Sequence, residues 1–555
     1  MTLSLQEKRA LKKKSSSLGV ELQPLVVYNN DNTDADTITA ISYGAGDEYF
    51  QQETCGLHHD ETKQEHPSDT QQRAVQLMRP ENLAIPFCYL CVGLMQGLSR
   101  PLLNVYPLDL GASEAQQTTI AAIAMLPCTL KIVFGFMSDQ LPLLGYRRKG
   151  YMCIGWSMAT AIMVQLLLSS NLTMEWKYNG SLVIPKDSPS IQQLSFCFLV
   201  FGFGYWMADV NSDSIVAERA KLEPPSKRGQ LQSTCYAFRF FGIMVAAPVS
   251  TFVYDSNHGP RNIVLIMAII PPLVMFPLLY LLQEIPATRV LSARHQCQEI
   301  WNSVCSRAVW QPMGFIYLYN ILQVPNAAWR QFLKTCLDFS EDQLNALLIA
   351  AYVLLYLGTL AYKYYFIRFS WRLIFQVGII MNCVFSALQI LLIKGRTGGL
   401  SPFIFALGDD VFADLISGIQ FLPLTIMMVH LCPDGSEGAS YAMYTTVSNS
   451  AMLAQPAIST MLLGVWDVSK QALEDRDLSG MLKLSILTTL IQTSAILFVG
   501  LLPKDRHDLE LLKTKERSTS KLGGAVFLGI IFASTLDACV VGLLNILNPG
   551  WVHGS

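Results

Sequence analysis

From residue 82 onward the chain alternates between apolar runs of about twenty residues and short polar interruptions, whereas residues 1–80 contain no such run. As a helix, a run of that length covers roughly 30 Å of hydrocarbon. The runs fall at 82–105, 115–138, 150–170, 192–215, 230–253 and 262–283 and, after a polar linker, at 310–329, 342–364, 371–393, 409–431, 439–464 and 481–502. The pattern predicts an all-α membrane protein built as six helices, a linker and six more. A further apolar run at 523–547 predicts a thirteenth helix, which either spans despite Asp537 or lies packed at the interface. The expected organisation is a disordered tail (1–80), a first bundle (81–284), a central linker (285–309), a second bundle (310–503), a polar segment (504–522) and the extra helix.

Composition narrows the class. The 555 residues are 51% hydrophobic and 15% charged, which a soluble chain would accommodate only as several unusually apolar domains. A formal charge of -2, with no concentrated basic face, excludes a nucleic-acid partner. Thirteen cysteines are scattered without disulfide-like spacing, and the Cys88–Cys91 pair falls inside the first apolar run, where small helix-packing residues are the plainer reading. His58, His59 and His66 lie in the polar tail with no neighbouring ligand set, so no metal or other cofactor is expected. The first apolar run begins too late for a cleavable signal peptide.

Two signals agree on orientation. With the N-terminus in the cytoplasm, most of the 40 Lys and Arg fall in inside loops, among them Arg147, Arg148, Lys149, Arg219, Lys221, Lys363, Arg368 and Lys504. The glycosylation sequons at Asn171 and Asn179 then both lie in one outside loop, between the third and fourth runs.

The two halves also match each other. Pro224 to Gly229 opens the fifth run as Pro433 to Gly438 opens the eleventh. Repeated six-helix halves are the plan of secondary transporters, which place substrate between the halves near the midplane. Charges inside the runs mark where, because an ion in hydrocarbon is costly and turns to a cavity or a partner. Lys131, Asp209 and Arg239 each lie about six to nine residues from the inside end of a run, hence at a similar depth of roughly 9–14 Å. Trp206, Asp209 and Asp213 fall on one helix face. The expectation is a single charged layer of Lys131, Asp209, Asp213 and Arg239, acting either as a substrate and proton-coupling network or as a permanent packing cluster. Trp206, Tyr236 and Phe238 could stack on a ligand ring or simply pack. The second half carries mainly uncharged polar residues such as Gln420, Ser448 and Asn449, so an anionic or zwitterionic ligand finds its countercharge on the first half.

The signature Lys131-x-x-x-Gly135-x-x-Ser138-Asp139, with Gly145-Tyr146-Arg147-Arg148, joins two spanning runs through an acidic turn. Together with Ala208-Asp209, Asp213, Glu218-Arg219, Gly229-x-Leu231-Gln232-Ser233, Leu407-Gly408-Asp409, Phe421-Leu422-Pro423, Leu431-Cys432-Pro433 and Glu437-Gly438, it resembles the folate-biopterin transporter family of the major facilitator superfamily. The resemblance covers residues 82–505. It departs from the wider superfamily in the inserted Gln140 to Leu144, and from relatives in Asp434, Asn211 and Ser212. It implies uptake of folates, pterins or related organic anions by alternating access, often proton-coupled, in a monomer within the lipid bilayer. Gly135, Asp139, Gly145, Arg147, Arg148, Glu218, Arg219 and Glu437 then form a cytoplasmic gate. Plasma and internal membranes both remain open. So do a non-transporting receptor or scaffold, a carrier of another metabolite and, less simply, a multi-span enzyme, for which no metal cluster or nucleophile–base pair is visible.

Overall fold

The computed structural model describes residues 24–27, 36–39, 75–112, 114–176, 182–183, 185–224, 227, 229–256, 258–284, 292–514 and 519–547. The chain divides into two units, Met1–His66 and Pro67–Ser555. In the first, Pro24–Val27 pairs antiparallel with Asp36–Thr39; His58, His59 and His66 lie outside the described residues.

The second unit is helical, and its helices follow the apolar runs. They are α1 Ala84–Asn104, α2 Glu114–Thr129, α3 Lys131–Gln140, α4 Lys149–Ser169, α5 Ile191–Ala220, α6 Gln230–Tyr254 and α7 Gly259–Leu281. After α8 Ala293–Cys305 come α9 Arg307–Leu322, α10 Trp329–Cys336, α11 Glu341–Ala361, α12 Trp371–Ile393, α13 Phe412–Leu431, α14 Glu437–Leu463 and α15 Ser479–Ser494. The chain closes with α16 Arg506–Thr514 and α17 Lys521–Leu547. Among the described residues, 9 helical stretches are long and apolar enough to cross a membrane, α2 with α3 counting as one. The remaining spanning positions belong to α1, diluted by Gln96 and Arg100, to α9, only 16 residues long, and to α14, rich in Ser and Thr. Their polar residues mark the faces turned inward.

Departures from the expected runs have local causes. The second run is not one helix: Pro127 lacks an amide donor, the helix breaks at Leu130 (φ -92, ψ 9), and α3 restarts on Lys131. The seventh ends at Leu322 rather than 329, because Pro325 disfavours helix before it, and the chain resumes as α10. Conversely α5 runs past 215 to Ala220, so Glu218 and Arg219 are helical.

Glycines set the closest crossings. A Cβ on Gly93 would meet the Arg239 carbonyl oxygen at 2.0 Å, and one on Gly97 the Ala246 Cβ at 2.6 Å, so the G-x-x-x-G face of α1 lets α6 lie against its backbone. In the second half Gly358 on α11 meets the Leu415 carbonyl of α13 in the same way, at 2.1 Å. Helix α17 buries Phe527 and Ile531 in the second-half core, with Gly524 pressed on Cys305. Between α4 and α5, Glu175–Trp176 pairs with Leu182–Val183.

Candidate functional site

The break at Leu130 places Lys131 at the first turn of α3, inside the bundle, where the residue is 4% exposed. Asp209 and Asp213, one turn apart on α5, face it, and Arg239 comes from α6, pressed inward by the Gly93 contact. Asp209 is saturated: Lys131 Nζ stands 2.7 Å from one oxygen and an Arg239 nitrogen 3.0 Å from the other. Asp213 is held differently, by the Tyr89 hydroxyl and, at 3.9 Å, by Lys131. Arg239 also donates to Gln96 at 3.3 Å. Trp206 lies beneath both cations, 4.3 Å from Lys131 Nζ and 5.7 Å from the Arg239 guanidinium carbon to the ring centroid. Pairing is what makes four buried charges tolerable, since each alone would cost several kcal/mol. The structure thus brings all four sequence-predicted charges into one layer.

The aromatic candidates divide. Trp206 belongs to the layer. Tyr236 borders it, its ring edge-on to Tyr89 at 5.2 Å and its hydroxyl 3.2 Å from that of Tyr441 on α14. Phe238, rotated away by its position beside Arg239, packs on Phe87 of α1 at 5.9 Å. Tyr89, Gln96 and Tyr441 carry no signal in the sequence, because a tyrosine or glutamine in an apolar run reads as core until its partner is known.

One end of the bundle is closed by a polar latch between the halves. Asp139, at the end of α3, pairs with Arg148 and, at 3.1 Å, with Arg147; it also accepts from Gln296 of α8 at 2.9 Å and from the Ala439 amide of α14 at 2.8 Å. Arg148, fully buried, joins Asp139 to Glu218 at 2.8 Å. Arg147 reaches the Gly435 carbonyl at 3.0 Å, and Lys221 pairs with Glu437 at 2.8 Å and Asp434 at 2.6 Å. Burial opposes the charge on Lys221, but Glu437 and Asp434 outweigh it and raise its pKa. Leu144 (φ 54) and Gly145 (φ 83) make the left-handed turn that returns the chain to α4, and the amides of Arg147, Arg148 and Lys149 leading into that helix donate to Glu284 at 2.8 Å. A Cβ on Gly135 would meet the Gly438 carbonyl at 2.4 Å, so α3 and α14 touch backbone to backbone. Arg219 is placed apart from this seam: it donates to Asn82 and to the Gln283 carbonyl, both of the first half.

At the opposite end the halves also meet, through the Arg100 guanidinium 4.6 Å above the Tyr352 ring and through Ile243 and Ala247 against the same tyrosine. Of the sequons, Asn171 accepts from the Thr173 amide at 3.1 Å and hydroxyl at 2.7 Å; Asn179 lies outside the described residues. No group of three or more potential metal ligands occurs among the described residues.

Two packed halves of long apolar helices are the architecture of the major facilitator transporters, and solved structures agree in fold. A D-xylose-proton symporter aligns with a TM-score of 0.55 at 17% identity, covering 76% of this chain and 98% of that one. A bacterial homologue of the iron transporter ferroportin, in an outward-facing state, aligns at 0.51 with 12% identity, covering 76% and 100%. The chain belongs to the BT1 family, whose model matches residues 93–521. Its relatives include the folate-biopterin transporter of Synechocystis sp., 25% identical over 429 residues, 76% of this chain and 82% of that one. Folate transporter 1 of Plasmodium falciparum is 20% identical over 354 residues, 63% and 66% of the two chains. Family and relatives are those of a multi-pass membrane transporter, not an enzyme.

Proposed function

We propose that this protein carries a small organic anion of folate or pterin type across a membrane by alternating access, coupled to protons, with its N-terminus in the cytoplasm. The observation that carries the reading is the layer of Lys131, Asp209, Asp213 and Arg239 around Trp206: charges from three helices of the first half, all buried, in a molecule whose two halves touch at both ends. Opening one end at a time would expose the layer to one compartment at a time. A ligand anion competing for Lys131 or Arg239, and a proton competing for a carboxylate, would act on the same network. The names of the relatives support the substrate class. The loop cations and the sequon at Asn171 support the orientation, which makes the Asp139–Arg148 latch the cytoplasmic gate.

The test is uptake of labelled folate and biopterin in cells lacking their own carriers, at two external pH values, for the native chain and Asp209→Asn. Saturable uptake that rises at the lower pH and is lost in the variant is expected. Saturable uptake indifferent to pH and to the substitution removes proton coupling; no uptake by a well-expressed protein removes the substrate class.

A further inference from the structure

In the charge layer both cations already have a carboxylate partner, so an incoming anion must compete for them. Arg100, on another of the spanning helices, stands outside that layer. Arg100 sits on α1 one turn beyond Gln96, hence ~6 Å further along the same face, toward the end opposite the latch. Among the described residues it makes no ion pair and no side-chain hydrogen bond, and its Nε is buried without a partner. Its one defined contact is the Tyr352 ring of the second half, 4.6 Å from the guanidinium carbon. Asp414 of α13 lies near enough to act on the same tyrosine.

Arg100 is half-buried one turn from the end of α1, and its buried Nε lacks a hydrogen-bond acceptor, a loss that a cation–π contact offsets only in part. Stacking on a ring also leaves the guanidinium edge free, with its donors in the fork that matches a carboxylate. We infer that Arg100 binds a carboxylate of the transported molecule, in the seam between α1 and α11. This rests on the anion reading above and refines it: the carboxylate end of the ligand engages Arg100, and the rest lies toward Gln96, Arg239 and Trp206, one or more turns nearer the latch. A molecule bound there would touch both halves at once, Arg100 on one side and Tyr352 on the other.

The experiment uses purified full-length protein and glutarate, a carboxylate probe without a pteridine ring, read by thermal unfolding. Glutarate is expected to raise the unfolding temperature of the native chain in a saturable manner, and Arg100→Gln to abolish that rise while unfolding, without probe, at the same temperature or higher. An equal rise in native and variant protein overturns the inference, as does no rise in the native protein. A variant that unfolds several degrees earlier without probe also overturns it, because the arginine is then a packing element held by Tyr352. Since no pteridine is used, failure of folate or biopterin uptake bears on the substrate class alone.

Discussion

The backbone amide of Ala439 donates to the Asp139 carboxylate at 2.8 Å, joining residues 300 positions apart and therefore the two halves of the molecule. It is a direct inter-half bond to the acidic turn that the sequence singles out. Around it the backbones of α3 and α14 touch at Gly135 and Gly438. Gly135→Leu forces them apart, so the latch end should stay open. Peptide-level thiol labelling reads this at Cys432, which is 6% exposed at that end: labelling at least several-fold faster than in the native chain is expected, and an unchanged rate contradicts the latch.

Arg148 is fully buried between Asp139 and Glu218. Arg148→Gln removes the buried cation that joins Asp139 to Glu218 and leaves Asp139 to Arg147, Gln296 and the Ala439 amide, so the cost should approach the lower end of the ~3–5 kcal/mol of a broken buried pair. A marked fall in unfolding temperature is the expected result.

Lys221 bridges one exposed and one buried carboxylate, Asp434 and Glu437. The Asp434 bridge is worth ~1 kcal/mol or less, whereas losing the Glu437 bridge leaves a buried carboxylate without its cation, so Lys221→Gln should cost more than an exposed pair does. Because its folded-state pKa is raised, the stability it contributes is fully present below the ordinary lysine value and is lost only as the pH rises beyond it. As far as the lysine's own ionisation goes, the cost of Lys221→Gln should be the same at pH 6 and pH 8, measured by unfolding at both.

Tyr89 and Asp213 bind each other inside the first bundle. A hydrogen bond to a charged group is worth about 1.5–3 kcal/mol. A double-mutant cycle of Tyr89→Phe and Asp213→Asn, read by denaturant unfolding, should return a coupling of that order. Additive effects would mean the contact contributes nothing.

Glycosylation checks the orientation. Asn171 follows α4 at the end away from the latch, and the proposed topology puts it outside the cytoplasm. In a glycosylating host Asn171→Gln should remove a glycosidase-sensitive mass increment.

The sequence was most legible where one physical requirement dominates. Hydrocarbon thickness fixes apolar length, so the run at 371–393 appears unchanged as α12. The cost of buried charge is equally general, and depth counted along three separate helices brings Lys131, Asp209 and Arg239 together. What pattern alone could not supply was the identity of uncharged partners. Gln296 on Asp139, Tyr89 on Asp213 and Gln232 on Tyr441 at 2.8 Å depend on how helices distant in sequence are rotated against one another. Arg100 lies near the end of the first run, where nothing in the pattern sets it apart, and its isolation is a property of the space around it. The break at Leu130 is written in Pro127, but many prolines here do not break their helices: α7 continues through Pro271, Pro272 and Pro277.

The most direct measurement is equilibrium binding of labelled folate to the purified protein at fixed pH, comparing the native chain with Arg239→Gln and with Lys513→Gln, a cation on α16 after the last spanning helix. The account predicts saturable binding that Arg239→Gln weakens by tenfold or more, about 1.4 kcal/mol, and that Lys513→Gln leaves unchanged. Equal affinity in the native and Arg239→Gln proteins would contradict a ligand-facing role for the charge layer.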